Sequence, residues 1–215
     1  MDFFQGIINQ AVSGGVSEET IVLFLLLPLV ASVVAAARHL IGFRGFGILI
    51  PTAIALVFVA TGITIGFLLF LIILLVATLT RSLLQRLRIH YLPRMALVLW
   101  FVSMFMLLFI FVSPFLGIGQ ISGVSILPIL ILVLLAEEFV TVQLGKSLRE
   151  AARMTIETLI IALIGYFIFN FSLLRRLALE RPEWIIFTPA VFNLLLGRFT
   201  GLRLLEFRRF RRLFR

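Results

Sequence analysis

Long apolar runs, separated by short stretches that carry charge, glycine or proline, form the pattern of this sequence. Runs of this kind are typical of helices that cross a lipid bilayer. Seven of them are predicted as spans: Thr20–Ala37, Phe46–Ala60, Thr64–Thr80, Met95–Phe115, Ile121–Ala136, Met154–Leu173 and Trp184–Gly197. The expected fold is therefore an all-α integral membrane protein with seven transmembrane helices.

Three of the predicted spans are short. The second, fifth and seventh reach only about 21–24 Å, less than the roughly 30 Å of a hydrocarbon core. They contain Pro51, Pro128 and Pro189, which are candidate helix breaks. Short spans marked by proline are typical of transporter binding sites. The alternative is proline in the first helical turn, where its missing N–H is no loss.

The composition excludes a soluble globule. Of the 215 residues, 62% are hydrophobic and 13% are charged, whereas soluble domains average about 25% charged residues. The first 20 residues contain no Lys or Arg, so they lack the basic region of a cleavable signal peptide and are expected in the mature protein. We expect an extracytoplasmic segment at residues 1–19, a membrane domain at 20–197 and a cytoplasmic tail at 198–215.

The basic residues predict the orientation. With the N-terminus outside, 16 of the 19 Lys and Arg residues fall on the inner side and only Arg175, Arg176 and Arg181 fall outside. Cytoplasmic loops carry the excess of Lys and Arg in membrane proteins. The expected topology is N-out and C-in.

The C-terminal tail alternates arginine with Leu and Phe at helical spacing, which predicts a basic amphipathic helix in the inner headgroup layer. Four residues are predicted to bind anionic lipid: Arg208, Arg209, Arg211 and Arg212. The aromatic residues beside them favour a lipid surface over nucleic acid as the partner.

The sequence offers little for catalysis. Asp2 is the only aspartate, the chain has no cysteine, and His39 and His90 lie in different inner loops. We expect no catalytic residues, no metal site and no cofactor. Glu137 and Glu138 directly follow the fifth apolar run, and side chains adjacent on a helix point about 100° apart. One of them is expected to face protein and the other to face water.

Three blocks carry a resemblance to a known family. They are Ala37–Pro51, the run Leu127–Leu132 leading to Glu137-Glu138-Phe139, and Asn193–Glu206. The chain resembles the bacterial seven-transmembrane domain that is usually fused to an inactive transglutaminase-like domain. The family's arginine after the block glutamate is Glu138 here. A fainter similarity is to the small membrane subunit of poly-gamma-glutamate synthases.

The resemblance implies a multi-pass protein of the bacterial cytoplasmic membrane. It also implies a non-enzymatic scaffold or export component that works with a cytoplasmic ATP-grasp-type amino-acid ligase and an extracytoplasmic transglutaminase-like protein. The product would be a glutamate-containing peptide or surface polymer. A homo-oligomer is a further expectation. The alternative function is a small-molecule transporter.

An inner-face cluster is the predicted functional site, because charges at the ends of spans can pair between helices or form a docking surface. Its members are Arg38, Arg44, Glu137, Glu138, Arg198, Thr200, Gly201 and Arg203. If Glu137 pairs with Arg198, the two positions should respond alike to substitution by glutamine.

Overall fold

A computed structural model describes residues 2–43, 45–85, 87, 89–115, 125–145 and 147–198. Within these ranges the backbone is helical between short connections and forms no β-strand. The α-helices are α1 (Asp2–Ser13), α2 (Glu18–Ala36), α3 (Leu49–Thr61), α4 (Ile63–Leu84), α5 (Tyr91–Val112), α6 (Ile126–Gly145), α7 (Leu148–Asn170), α8 (Ser172–Glu180) and α9 (Pro182–Gly197). A π-helical segment, Ala37–Ile41, continues α2.

The predicted spans correspond in order to α2 to α7 and then α9, and the sixth also includes the first two residues of α8. Four described stretches are long and apolar enough to cross a membrane: Glu18–Ile41, Ile63–Leu84, Tyr91–Val112 and Arg149–Asn170. The helices of the second and seventh segments, α3 and α9, are shorter apolar helices, as expected. The all-helical prediction is confirmed for the described residues.

The helix of the fifth segment extends beyond the predicted end of the apolar span at Ala136. Helix α6 is 20 residues long and continues through Glu137 and Glu138 to Gly145. An apolar run can end within a helix, because the backbone hydrogen bonds of a helix do not depend on side-chain polarity.

Two of the three prolines lie in the first turn of a helix, and the third lies inside a helix that is not broken. Pro51 and Pro128 are each the third residue of a helix, α3 and α6. The N–H groups of the first turn have no partner within the helix, so proline costs no hydrogen bond there. Pro189 lies inside α9, which continues past it to Gly197. The break expected at Pro189 is therefore not present.

Two amphipathic helices, α1 and α8, were not among the predicted elements. The Gln5 side-chain amide donates a hydrogen bond to the Glu180 carbonyl and so joins α1 to α8. Arg175 on α8 forms an ion pair with Glu19 on α2 at 3.5 Å. The two helices therefore lie beside the N-terminal end of α2.

The described residues divide into two compact units, and the divisions fall within α3 and α7. The first unit consists of the described residues within Met1–Ala55 and Ile156–Arg215. In it α2 packs along α9. Ser32 of α2 contacts Asn193 of α9. Further along the chain from each of these residues, Arg38 and Gly197 line the same pocket. Both helices thus advance in the same direction, so α2 and α9 are parallel.

Small residues bring α7 close to α2 and α3 in this unit. A Cβ atom on Gly165 would lie 2.9 Å from the Cβ of Ala55 and 3.0 Å from a methyl carbon of Val30. Close approach of backbones over small residues is a common way to pack helices in lipid.

The second unit, from Leu56 to Thr155, contains α4, α5 and α6 in mutual contact. Buried residues of α4 recur every three or four positions and form one face: Gly66, Leu69, Phe70, Ile73, Val76, Ala77, Thr80 and Leu84. Phe70 meets Phe139 of α6 edge-to-face, with ring centroids 5.2 Å apart. Such aromatic contacts stabilise packing beyond the area that they bury.

The connection between α2 and α3 is held by a side chain of α7. The Phe46 N–H donates to Thr158 Oγ1 at 3.0 Å, and Thr158 is fully buried. A Cβ atom on the preceding Gly45 would lie only 2.8 Å from the same oxygen. Glycine is therefore needed at position 45 for the backbone to approach α7.

We expect Gly45→Ala to destabilise the protein by about 1–3 kcal/mol, since the added methyl group forces the chain away from Thr158. Gly47→Ala is the matched control, because a Cβ atom at Gly47 has no atom within 4 Å. Thermal unfolding of the detergent-solubilised chain measures both. Equal melting temperatures for the two variants would contradict this account of the connection.

The clash also predicts non-additivity. In a Thr158→Ala background the oxygen that the added methyl group would meet is gone, so Gly45→Ala should cost less there than in the native chain. Additive losses would show that the substitution at Gly45 disturbs the connection by another route.

Candidate functional site

A pocket of about 300 Å³ lies between the C-terminal ends of α2 and α9 in the first unit. Its wall combines charged, amide and apolar side chains, contributed by Ala35, Arg38, His39, Ile48, Asn193, Leu196 and Gly197. A concave site with a few polar groups among apolar ones is the usual form of a small-ligand site. It is the candidate functional site of the described residues.

The π-helical segment places Arg38 and His39 at this pocket. The Gly42 N–H donates to the Ala37 carbonyl at 3.2 Å, one residue further along than in an α-helix. The segment ends at Gly42, whose φ of 94° is a left-handed conformation that favours glycine. Short π-helical turns are frequent at functional sites.

Arg38 brings a positive charge to the pocket wall. Its side chain is half-buried. Within the described part of the chain, no carboxylate forms an ion pair with it. The pocket therefore has a cation whose charge is not balanced by a described acidic side chain.

Asn193 of α9 is held by a chain of hydrogen bonds that leads into α2. Its Nδ2 donates to Ser32 Oγ at 2.7 Å, and the Ser32 hydroxyl donates to the Pro28 carbonyl at 2.8 Å. Ser32 is only 2% exposed. These two hydrogen bonds hold the amide at the pocket wall and link α9 to α2 at a defined register.

The family model described as seven transmembrane helices usually fused to an inactive transglutaminase matches residues 14–214. The chain belongs to this family. Searches among curated proteins and among solved structures returned no match. The family match includes every residue of the pocket and confirms the resemblance found in the sequence. The protein is thus a membrane protein of this seven-transmembrane family.

Of the predicted inner-face cluster, Arg38 lines the pocket and Arg198 directly follows Gly197 at the end of α9. Arg44, Thr200, Gly201 and Arg203 lie outside the described residues, as do the predicted lipid-binding arginines Arg208, Arg209, Arg211 and Arg212. Their roles stay predictions.

Glu137 and Glu138 lie on α6 in the second unit. Glu137 is half-buried and Glu138 is exposed, in the arrangement expected for neighbours on a helix. The hydroxyl of Thr141 donates to the Glu137 carbonyl at 2.9 Å and lies 3.2 Å from the Tyr91 hydroxyl. The pairing of Glu137 with Arg198 stays a prediction.

Sequence reasoning did not select three of the residues at or behind the pocket, namely Ser32, His39 and Asn193. The sequence does contain an indication that Asn193 has a specific role, because it is an amide side chain within the apolar run of a short span. Polar side chains inside spans tend to contact other helices or ligands. Ser32 had no comparable signal, since serine is common in membrane helices.

We expect Ser32 and Asn193 to be energetically coupled by about 1 kcal/mol, a typical value for hydrogen bonds between membrane helices. Ser32→Ala and Asn193→Ala would each lower the melting temperature, and the double variant would lose less than the sum. Asn170→Ala is the control, because the Asn170 side chain donates to the Tyr166 carbonyl of its own helix. Additive losses in the cycle would show that the 2.7 Å contact contributes nothing to stability.

Proposed function

We propose that this protein is a non-enzymatic scaffold or export component of the bacterial cytoplasmic membrane. It works with a cytoplasmic ATP-grasp-type amino-acid ligase in making or exporting a glutamate-containing peptide or surface polymer. The observation that carries the proposal is the family match over residues 14–214. The transglutaminase usually fused to such helices is inactive, and an inactive enzyme domain can still bind a polypeptide without changing it.

The arginines at the ends of α2 and α9 support a role with an anionic product. Arg38 and His39 line the pocket there, and Arg198 follows α9 at the same end. Complementary charge speeds the encounter of partners and fixes their orientation. A basic surface at the cytoplasmic end of the domain would suit an acidic peptide as it leaves the ligase.

The direction of α2 and α9 supports the seven-span topology. Two parallel helices that both cross a membrane must have an odd number of crossings between them. Six described helices lie between them in the chain. Five of these, α3 to α7, are predicted spans, whereas α8 has nine residues and is too short to cross a bilayer. With the excess of Lys and Arg at the inner ends, this arrangement favours an N-terminus outside and a C-terminus inside.

A small-molecule transporter is the second candidate, and the helices α3 and α4 favour it. Helix α3 is only 13 residues long, about 20 Å. Only Gly62, with φ of 79°, separates it from α4. A Cβ atom on Gly66 would lie 2.6 Å from both Phe58 and Thr61, so the two helices fold tightly on each other. Short helices of this kind occur at the binding sites of transporters.

Deletion of the gene that encodes this chain, in its native cell, tests the proposed role. We expect the deletion to change the amount or location of labelled glutamate in peptide-like product, measured separately in cells and in the medium. Loss from both fractions indicates a scaffold, whereas accumulation inside cells indicates an export component. Restoring the Gly47→Ala chain serves as a folded control. Product that is unchanged in amount and location would overturn the proposal.

Purified chain in liposomes separates the transporter from the scaffold. Uptake of labelled glutamate without any ligase would replace the first proposal by the second. A scaffold would give no uptake above that of empty liposomes.

The absence of cysteine from the natural chain makes the topology directly testable. We expect Gln10→Cys and Arg176→Cys to react with a membrane-impermeant thiol reagent added outside intact cells. Gln85→Cys should react only after permeabilisation. All three native side chains are exposed, so access to the membrane side, and not burial, decides the labelling. Labelling of Gln10→Cys and Gln85→Cys from the same side would exclude this topology.

A further inference from the structure

We propose that the pocket between the π-helical segment and α9 binds one anionic group, a phosphate or a carboxylate, through the Arg38 guanidinium and the Asn193 amide. The inference rests on the geometry of the first unit. It does not depend on the proposed role in polymer synthesis.

Arg38 gives the pocket a positive charge. Arg38 is half-buried and, among described residues, has no acidic partner. A guanidinium offers several N–H donors in a planar fork that matches the oxygens of a carboxylate or phosphate. An anionic ligand would supply the missing counter-charge.

Compensation of the helix dipole is the competing role for Arg38, since cations are favourable near helix C-termini. Three carbonyls at these helix ends already have backbone donors. The Ala37 carbonyl accepts from the N–H groups of Gly42 and Phe43, at 3.2 and 3.4 Å. The carbonyls of Leu195 and Leu196 accept from the Arg198 N–H. The Arg38 side chain is therefore not needed to satisfy them.

The Asn193 amide is fixed at the pocket wall and, within the described part of the chain, keeps a free donor. An asparagine Nδ2 carries two hydrogens, and the bond to Ser32 at 2.7 Å uses one of them. The other hydrogen can be donated to a ligand oxygen. Because buried Ser32 anchors the amide, the entropy cost of ordering it is met in folding, before the ligand binds.

The size and lining of the pocket also suit an anionic ligand that carries apolar carbon atoms. A volume of about 300 Å³ accommodates an anionic group together with several carbon atoms. Ala35, Ile48 and Leu196 provide apolar surface beside Arg38 and Asn193. The same chemistry is offered by an anionic lipid headgroup and by a small soluble anion such as glutamate, so the experiment includes both.

Thermal-shift titration of the purified full chain in neutral detergent tests the site. The probes are short-chain phosphatidylglycerol, short-chain phosphatidylcholine as its uncharged counterpart, L-glutamate and inorganic phosphate, all at constant ionic strength. We expect at least one anionic probe to raise the melting temperature in a saturable way, since a ligand of the folded state stabilises it. Saturation by phosphatidylglycerol alone identifies a lipid headgroup, and saturation by glutamate or phosphate identifies a soluble anion.

The variants decide whether the pocket is responsible. Arg38→Gln should weaken the apparent affinity about tenfold or more, the usual effect of losing a charged hydrogen bond. Arg38→Lys keeps the charge without the fork and should weaken binding less. Arg149→Gln is the matched control, because Arg149 is an exposed arginine that does not line the pocket.

Two results would overturn the proposal. One is that no anionic probe gives a saturable shift with the native chain. The other is that Arg149→Gln weakens binding as much as Arg38→Gln. Should Arg38→Gln fail to fold, native mass spectrometry of the Arg38→Lys chain provides the comparison. Retention of the anionic probe equal to that of the native chain would also overturn the proposal.

Discussion

A backbone polar group that is buried away from water needs a hydrogen-bond partner within the protein, because an unsatisfied group costs several kcal/mol. This constraint explains how the chain can leave the helix between α2 and α3. The N–H groups of Gly42 and Phe43 close the π-helical segment on the Ala37 carbonyl, and the Phe46 N–H is bound by Thr158. The connection is thus held at both ends, and the π-helical segment that leads into it carries Arg38 at the pocket wall.

The membrane-spanning helices could be predicted because a helix surrounded by lipid needs a long run of apolar residues, and such runs are visible in the sequence. Their ends could not, since an apolar run and a helix end for different reasons, as Glu137 and Glu138 within α6 show. The amphipathic α1 and α8 were missed for a related reason. Their apolar residues are few and interrupted, so a search for spans passes over them, although Phe4, Ile7 and Ile8 already have helical spacing in α1.

The site was only partly predictable. Arg38 could be selected because a charge at the end of a span is visible in the sequence. The contact between Ser32 and Asn193 joins residues 161 positions apart. It follows from the register of two packed helices, which no local pattern encodes. The π-helical segment was equally hidden, because its one-residue shift depends on Gly42 and on what packs around it.

The two polar groups of the pocket, Arg38 and Asn193, come from the π-helical segment that continues α2 and from α9. Their separation along the chain has a consequence for assembly. The Asn193 amide reaches Ser32 only when α9 lies against α2, so the complete wall exists only after all the intervening helices have been inserted. A ligand that needs both Arg38 and Asn193 would therefore bind the finished domain and not its partly inserted forms. By mass action such a ligand stabilises the finished domain in proportion to the logarithm of its concentration. A site made from the two ends of the domain thus couples ligand binding to complete folding.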